Sequence, residues 1–322
     1  MRQDEKSEKK KMPLISVVIP AHNEQEVIGR AIRAVLANSY PRKEVIVAVD
    51  SSTDGTAKTA SGFGKKVRVI RVNKRCASGA RNAGAKIAKG DVVAFVDADQ
   101  IMAKTYLVAV AKGYKSGAKL MGVRRIKKTG GSGLVSRYFD KLWGFMPDRR
   151  IEYKAAGKPD LRRLPSYVFV FDRKLFEKIG GYDERIFYFE DGDLTERALA
   201  QEKRMLYDPA ILEYSIDPGT YSEVFLQSVN GGRGIVSMFR IGRMGLSDIA
   251  KPLYYLALLL SPILLFVWWP AFAFALLIHF FVCRKEFRKT ALLDGIGFAF
   301  IIRPLRGLGT LYGIINNLDR LL

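Results

Sequence analysis

EVIVAVDSSTDGT (Glu44–Thr56) sets the architecture. Its first half is a short, β-branched run that reads as a buried strand and ends in the carboxylate of Asp50. Ser51, Ser52 and Thr53 follow, and Asp54-Gly55 open a helix. Three more runs have the same character: LISVVIP (Leu14–Pro20), VRVIRV (Val67–Val72) and DVVAFVD (Asp91–Asp97). Helical patterns lie between them. In Glu24–Ala37, Ile28, Ile32, Val35 and Leu36 fall on one face, with Asn23 offering an N-cap. Ser78 or Gly79 opens a further helix through Ala80, Ala83, Gly84 and Ile87. This alternation specifies an α/β fold with a Rossmann-like, mostly parallel sheet and helices on both faces.

Ligands of such sheets bind beyond the carboxyl ends of the strands, near the switch point of strand order. Three polar clusters emerge there: Pro20-Ala21-His22-Asn23-Glu24, Asp50 with its trailing hydroxyls, and Asp97-Ala98-Asp99-Gln100. Asp97 and Asp99 are two apart, so both carboxylates can point the same way as the chain leaves the sheet. Paired carboxylates without His or Cys suit a hard divalent ion, Mg²⁺ or Mn²⁺, bridging to phosphate oxygens. The histidines are His22 and His279 and the cysteines Cys76 and Cys283, too few for a zinc site or a disulfide framework. Ser61-Gly62-Phe63-Gly64 and Gly130-Gly131-Ser132-Gly133 match neither a dinucleotide fingerprint nor a P-loop and read as turns.

Taken in order, VVIPAHNE (Val17–Glu24), VAVDSSTDGT (Val47–Thr56), SGARNAGAKIAKGD (Ser78–Asp91) with VAFVDAD (Val93–Asp99), and GGYDERIFYFEDGDLTERA (Gly180–Ala198) resemble glycosyltransferase family 2. The resemblance runs from Leu14 to Gly234. It implies a GT-A fold, a nucleotide-sugar donor, a divalent metal and inversion at the anomeric carbon. It also implies that Asp50 contacts the nucleobase, that Ala21 and Glu24 line its pocket, and that Arg81 helps hold the nucleotide. Asp97 would approach ribose and metal, Asp99 would ligate the metal, and Asp191 of the Glu190-Asp191 pair would be the general base. His22 stands where the family usually has Tyr, and Val49 where it often has Asp. The Q-x-x-R-W motif of processive relatives is broken, since Gln227 is followed by Asn230-Gly231; this implies single-sugar transfer, with Arg233 reaching the diphosphate.

Elementary chemistry agrees. Displacing a nucleoside diphosphate builds negative charge that a divalent ion and arginines stabilise, and an acceptor hydroxyl needs a positioned base. Glu190, Asp191 and Asp193 open a helix through Leu194, Ala198 and Leu199, where acids also complement the helix dipole.

The 322 residues are 48% hydrophobic and carry a net charge of +21, enough for one large domain with an appendage. Residues 1–12 read as a charged, flexible arm without the apolar core of a signal peptide. Residues 13–245 read as the catalytic domain and 246–322 as membrane-embedded or interfacial helices. Leu253–Val282 holds no charged residue besides the titratable His279, and Pro262 and Pro270 divide it. One long kinked helix or a hairpin dipping into the bilayer fits this run. The positive-inside rule places the basic cluster Arg284, Lys285, Arg288 and Lys289 on the cytoplasmic side. With the catalytic domain expected on that same face, an even number of crossings is required, which favours the hairpin. Lys112–Arg163 carries 15 Lys/Arg against 4 Asp/Glu, including Arg124, Arg125, Lys127 and Lys128. That charge reads as a solvated surface, or as one facing anionic headgroups or a lipid-phosphate acceptor, and no nucleic-acid motif accompanies it. The expected activity is metal-dependent transfer of one sugar from a UDP- or GDP-sugar to a polyprenyl phosphate or lipid-linked glycan at a membrane. The rivals are an idle membrane-bound scaffold that binds anionic lipid, and a nucleotidyltransferase on a related fold.

Overall fold

The computed structural model describes residues 12–129, 133–143, 146–157, 166–217, 220–242 and 301–317, with 164, 273, 277 and 278 as isolated positions. The first strand, β1 (Ile15–Ala21), is buried at every residue but Pro20, as its largely apolar run demands. It is followed by α1 (Ile28–Leu36), β2 (Lys43–Asp50), α2 (Thr56–Ser61), β3 (Arg68–Val72), α3 (Ala77–Lys86), β4 (Val92–Phe95), β5 (Ile101–Met102) and α4 (Tyr106–Lys115). Beyond these lie β6 (Leu120–Thr129), α5 (Leu134–Trp143), β7 (Ile151–Lys154), β8 (Val168–Asp172), α6 (Arg173–Lys178), α7 (Glu190–Glu202), β9 (Arg204–Asp217), α8 (Tyr221–Arg240) and α9 (Arg303–Ile315).

Among the described residues the strands form a nine-stranded sheet in the order β3-β2-β1-β4-β8-β6-β9-β5, with β7 paired to β9. The pairings β1/β2, β1/β4 and β2/β3 are parallel, as expected. The remainder corrects the expectation of a mostly parallel sheet, because β4/β8, β6/β8, β5/β9 and β7/β9 are antiparallel. Parallel pairing requires a crossover that returns the chain to the same end. The strand-helix alternation that supplies such crossovers ends at β4, and β8 then lies directly against β4 from the opposite direction.

Two helix starts also differ from expectation. Asn23 does not cap α1: it sits at φ 55° and its Oδ1 accepts from Thr53 N at 2.9 Å. Glu24–Val27 forms a turn first, with Val27 and Ile28 N–H both donating to the Glu24 carbonyl, so the helix begins at Ile28. The cap of α3 is Cys76, whose Sγ accepts from Gly79 N at 3.3 Å. By contrast α2 starts where expected, with Asp54 Oδ1 accepting from Thr56 N at 3.0 Å.

The contacts divide the chain into two units, residues 1–126, 145–184 and 190–216, and residues 127–144, 185–189 and 217–322. The first unit has a core on each face of its sheet. Ile15, Val17 and Ile19 of β1 join Ile28, Ile32 and Val35 of α1 on one face. Val18 of β1 joins Phe95, Phe171, Phe176 and Tyr182 on the other, as the two-residue period of a strand requires. Those aromatics meet edge-on or tilted, with Phe95 and Tyr182 5.2 Å apart at 84°. In the second unit α8, opened by a Thr220/Glu223 capping box, packs on α9 through glycines: a Cβ at Gly309 would lie 2.6 Å from the Phe225 carbonyl oxygen. α8 therefore groups with α9 in the second unit, which takes in the chain from Asp217 onward. Most of Leu253–Val282 and residues 1–11, where membrane helices and a flexible arm were expected, lie outside the described residues, as does the Gly130–Ser132 turn. Among the described residues no helix is long and apolar enough to cross a membrane.

Gly84 of α3 faces β1 so closely that a Cβ would overlap Val18 Cγ1. Gly84→Ala is expected to cost about 1–3 kcal/mol by overpacking this helix-sheet contact. Urea unfolding checks it: the midpoint should fall with an unchanged slope, and an unshifted midpoint would contradict the close approach.

Candidate functional site

The rim at the ends of β1 and β2 is laced by short polar contacts. His22 Nδ1 donates to the Asp50 carbonyl oxygen at 2.7 Å, Asn23 N to Ser52 Oγ at 3.1 Å, and Gly55 N to Gln25 Oε1 at 2.6 Å. Ala21 is the buried last residue of β1 and packs into the core beneath this rim. The Asp50 carboxylate is buried and turned inward. It accepts from the backbone N–H groups of Lys74 (2.7 Å), Arg75 (3.0 Å) and Cys76 (2.8 Å), and from the Ser51 hydroxyl (3.0 Å). Burial works to raise its pKa, but these donors outweigh it and hold the carboxyl below its ordinary value. Asp50 thus shapes the 73–76 loop, whose Arg75 sits at φ 55°, and fixes the start of α3.

At the end of β4 a second cluster forms. Arg81 of α3, only 5% exposed, donates from Nη2 to Asp97 Oδ1 (2.7 Å) and from Nη1 to Glu190 Oε1 (2.9 Å). Its guanidinium lies 5.1 Å over the Tyr182 ring. Arg81, expected to hold a nucleotide, therefore spends both terminal nitrogens on carboxylates that frame the site. Asn82 beside it bonds Tyr182 reciprocally, Nδ2 to the carbonyl and Oδ1 from the N–H, both at 2.9 Å, which pins the segment before α7 against α3.

Asp97 has a second arginine. Arg125 of β6 donates from Nη2 to Asp97 Oδ2 at 3.3 Å and from Nε to Glu213 Oε2 at 3.2 Å, with its guanidinium 4.0 Å over the Phe169 ring. This corrects the placement of Arg125 on a basic outer surface: it turns inward. Burial opposes ionisation of Asp97, yet the two arginines win and lower its pKa. Glu213 of β9 is fully buried, and burial foremost pushes its pKa up to about 7, against the pull of Arg125.

Asp191 follows Glu190 at the start of α7. Its Oδ1 is buried and has no hydrogen-bond partner among the described residues. Burial pushes its pKa up to about 7; Arg81 restrains that rise while Glu190 and Asp97 add to it. Asp193, the third acid of this turn, is tied to Arg197 Nη2 at 2.7 Å, and Leu194, Ala198 and Leu199 are buried as expected.

Asp99 is the exposed carboxylate of the rim, touched by Gln100 Nε2 at 3.3 Å. Partial desolvation raises its pKa and the charge of Asp97 adds to this. Glu24 is raised by burial first, then by Asp99, Asp54 and Asp97. Carboxylates that raise one another mark a negative field, which suits a hard dication. Among the described residues no three such side chains converge into a metal cage. The donor set thus fits an ion such as Mg²⁺ or Mn²⁺ that takes its remaining ligands from phosphates and water. Arg233 is exposed on α8 of the second unit, donating to Asn230 Oδ1 at 3.3 Å.

Arg125 and Glu213 are the residues that sequence reasoning missed. Arg125 sits within RRIKK, where its neighbours mask it as one more surface cation, and Glu213 lies in β9 with no motif around it. The usable signal was a single acid in the apolar run AILEY (Ala210–Tyr214), which demands a buried partner.

The family model described as Glycosyl transferase family 2 matches residues 16–180. The chain is 29% identical over 242 residues to the Probable glycosyltransferase YdaM of Bacillus subtilis, covering 70% of this chain and 56% of that protein. It is 38% identical over 97 residues to the UDP-Glc:alpha-D-GlcNAc-diphosphoundecaprenol beta-1,3-glucosyltransferase WfaP of Escherichia coli, covering 29% of this chain and 38% of that protein. The chain thus spans about half, or less, of the length of these relatives. The solved mannosyltransferase PcManGT from Pyrobaculum calidifontis, in complex with GDP-Man and Mn²⁺, is similar in fold with a TM-score of 0.56 at 17% identity, over 95% of this chain and 87% of that one.

Asp50→Ala should cost about 1–3 kcal/mol, because it strips an ionised acceptor from three backbone N–H groups at once. The folded pKa of Asp50 lies below its unfolded value, so its contribution is present above the unfolded pKa and lost as pH falls through the folded one. Urea unfolding from pH 7 down to pH 3 should therefore show the gap between wild type and variant closing with acid. A constant gap would contradict the role given to its charge.

Proposed function

Because the chain belongs to glycosyl transferase family 2, we propose that it moves one sugar from a UDP- or GDP-sugar to an acceptor hydroxyl, with inversion at the anomeric carbon. The observation that carries this reading is Asp191: a buried carboxylate with one oxygen that has no partner among the described residues, and a pKa raised to about 7. An ordinary carboxylate is a weak base at neutral pH, whereas one poised near 7 can accept a proton as the acceptor oxygen attacks. Asp191 takes the hydroxyl proton, the oxygen bonds to the anomeric carbon, and the carbon-to-phosphate oxygen bond breaks with its electron pair leaving on the nucleoside diphosphate. Glu190 and Asp97, joined through Arg81, hold the start of α7 against the end of β4, so the base and the donor end of the site keep a fixed relation.

A Mn²⁺ or Mg²⁺ bound by Asp99, with Asp97 beside it, would neutralise charge developing on the leaving diphosphate. The exposed Asp99 supports this, as does a fold relative solved with GDP-Man and Mn²⁺. The acceptor is read as a lipid-linked glycan in preference to a polyprenyl phosphate. A phosphate oxygen is already ionised and needs no base, whereas a glycan hydroxyl does, and WfaP is named for transfer to a diphosphoundecaprenol-linked sugar. The uncharged run Leu253–Val282 and the basic cluster behind it support action at the cytoplasmic face of a membrane. A lipid-binding scaffold would have no use for a buried, unpartnered acid.

The test is nucleoside diphosphate release from a panel of UDP- and GDP-sugars, with native membrane lipids and Mn²⁺ or Mg²⁺. Asp191→Asn should lower the rate by about 10²-fold or more, and chelator should abolish it. With Asp191 raised to about 7, the wild-type rate should climb roughly tenfold per unit as pH rises toward 7 and level off above it. A rate flat from pH 5 to 8, or full activity in Asp191→Asn, would remove Asp191 as the base.

A further inference from the structure

The charge cluster extends past the residues the reaction needs. From β9 to α7 it runs Glu213, Arg125, Asp97, Arg81, Glu190, each touching the next at 2.7–3.3 Å. Glu213 is fully buried and lies on β9, opposite Met102 of β5, and belongs to none of the quoted motifs. Burying an ion pair is often worth less than burying apolar residues of the same size. Stability alone therefore gives weak reason for a glutamate in this position.

Its geometry supplies a better one. The Arg125 guanidinium is fixed at three points: Nε–H on Glu213 Oε2, one face against Phe169, and Nη2–H on Asp97 Oδ2. Two of these, a directional hydrogen bond and a stacked face, set the plane from which the third reaches Asp97. Without Glu213 the guanidinium can turn about its stem, and Asp97 keeps Arg81 alone, on its other oxygen. We infer that Glu213 is a positioning residue for donor binding, which acts through Arg125 to hold the Asp97 carboxylate in the orientation that receives a nucleoside diphosphate and its divalent ion. This rests on reading the Asp97 end of the site as the donor end.

Isothermal titration of UDP and of GDP, each with Mn²⁺, into the full chain separates the two claims. Wild type should bind one of them. Glu213→Gln keeps an oxygen that accepts the Arg125 Nε–H and should bind within about threefold of wild type. The Arg125→Met/Glu213→Leu double variant removes both charges of the pair together, leaves Asp97 paired with Arg81, and should fold, with a melting transition as cooperative as wild type. It should bind the nucleotide at least about tenfold more weakly. A folded double variant that binds as tightly as wild type would make the pair merely structural and overturn the inference alone. Glu213→Gln as weak as the double variant would also overturn it, because charge and not the aimed hydrogen bond would then matter. Wild type that binds neither nucleotide would overturn it together with the donor-site reading beneath it.

Discussion

The rest of the site depends on Asp97 being held by two arginines at once. Arg81 comes from α3 and Arg125 from β6, so one carboxylate at the end of β4 ties together elements from the parallel and antiparallel parts of the sheet. Such a clamp is costly to break. Removing one partner from a buried pair typically costs about 3–5 kcal/mol, since it strands the other charge in a poor solvent. Arg81 carries this constraint further, through Glu190, to the first turn of α7. The acid proposed as base and the acids proposed to face the donor are in this way parts of one rigid frame.

That frame was only half legible in the sequence. The four runs that became β1 to β4 announce themselves by their β-branched residues, although β3, with Arg68 and Arg71, is largely exposed or half-buried where a buried strand was expected. The polar ends of β1, β2 and the β4 run supplied the candidates Asp50, Asp97, Asp99 and Glu24. What failed was anything set by pairing over long distance. The antiparallel joining of β8 to β4 is decided by which edge a later strand meets, and no local pattern encodes that. Asn23 has the chemistry of a cap, but the loop from Ser51 to Gly55 claims its side chain first. Arg125 shows the same limit: charge counting puts it outside with Arg124 and Lys127, and only the location of Asp97 and Glu213 turns it in.

Asp50 illustrates how a motif residue can carry a load that its motif does not state. Its carboxylate gathers three consecutive backbone N–H groups, an arrangement that a neutral side chain could not satisfy as strongly. By closing the 73–76 loop it sets where α3 begins, and α3 delivers Arg81 and Asn82. An acid two strands away from Asp97 thereby governs the approach of the arginine that clamps it.

The poise of the base follows from the same count of charges. Four carboxylates, Asp97, Glu190, Asp191 and Glu213, share two guanidiniums in a desolvated space. Two cations cannot offset four anions there, which adds to the effect of burial in disfavouring full ionisation. Asp97 is exempt because both arginines bond it, and its pKa stays low. Burial foremost raises Asp191, which neither arginine bonds, and Glu213, which shares Arg125 with Asp97, and the charge of Asp97 adds to it; both are driven up to about 7. The pKa of the acid proposed as base is thus a property of the whole cluster. The arginines set it as much as Asp191 does, since each contact they give to Asp97 is one they withhold from the acid proposed to take the proton.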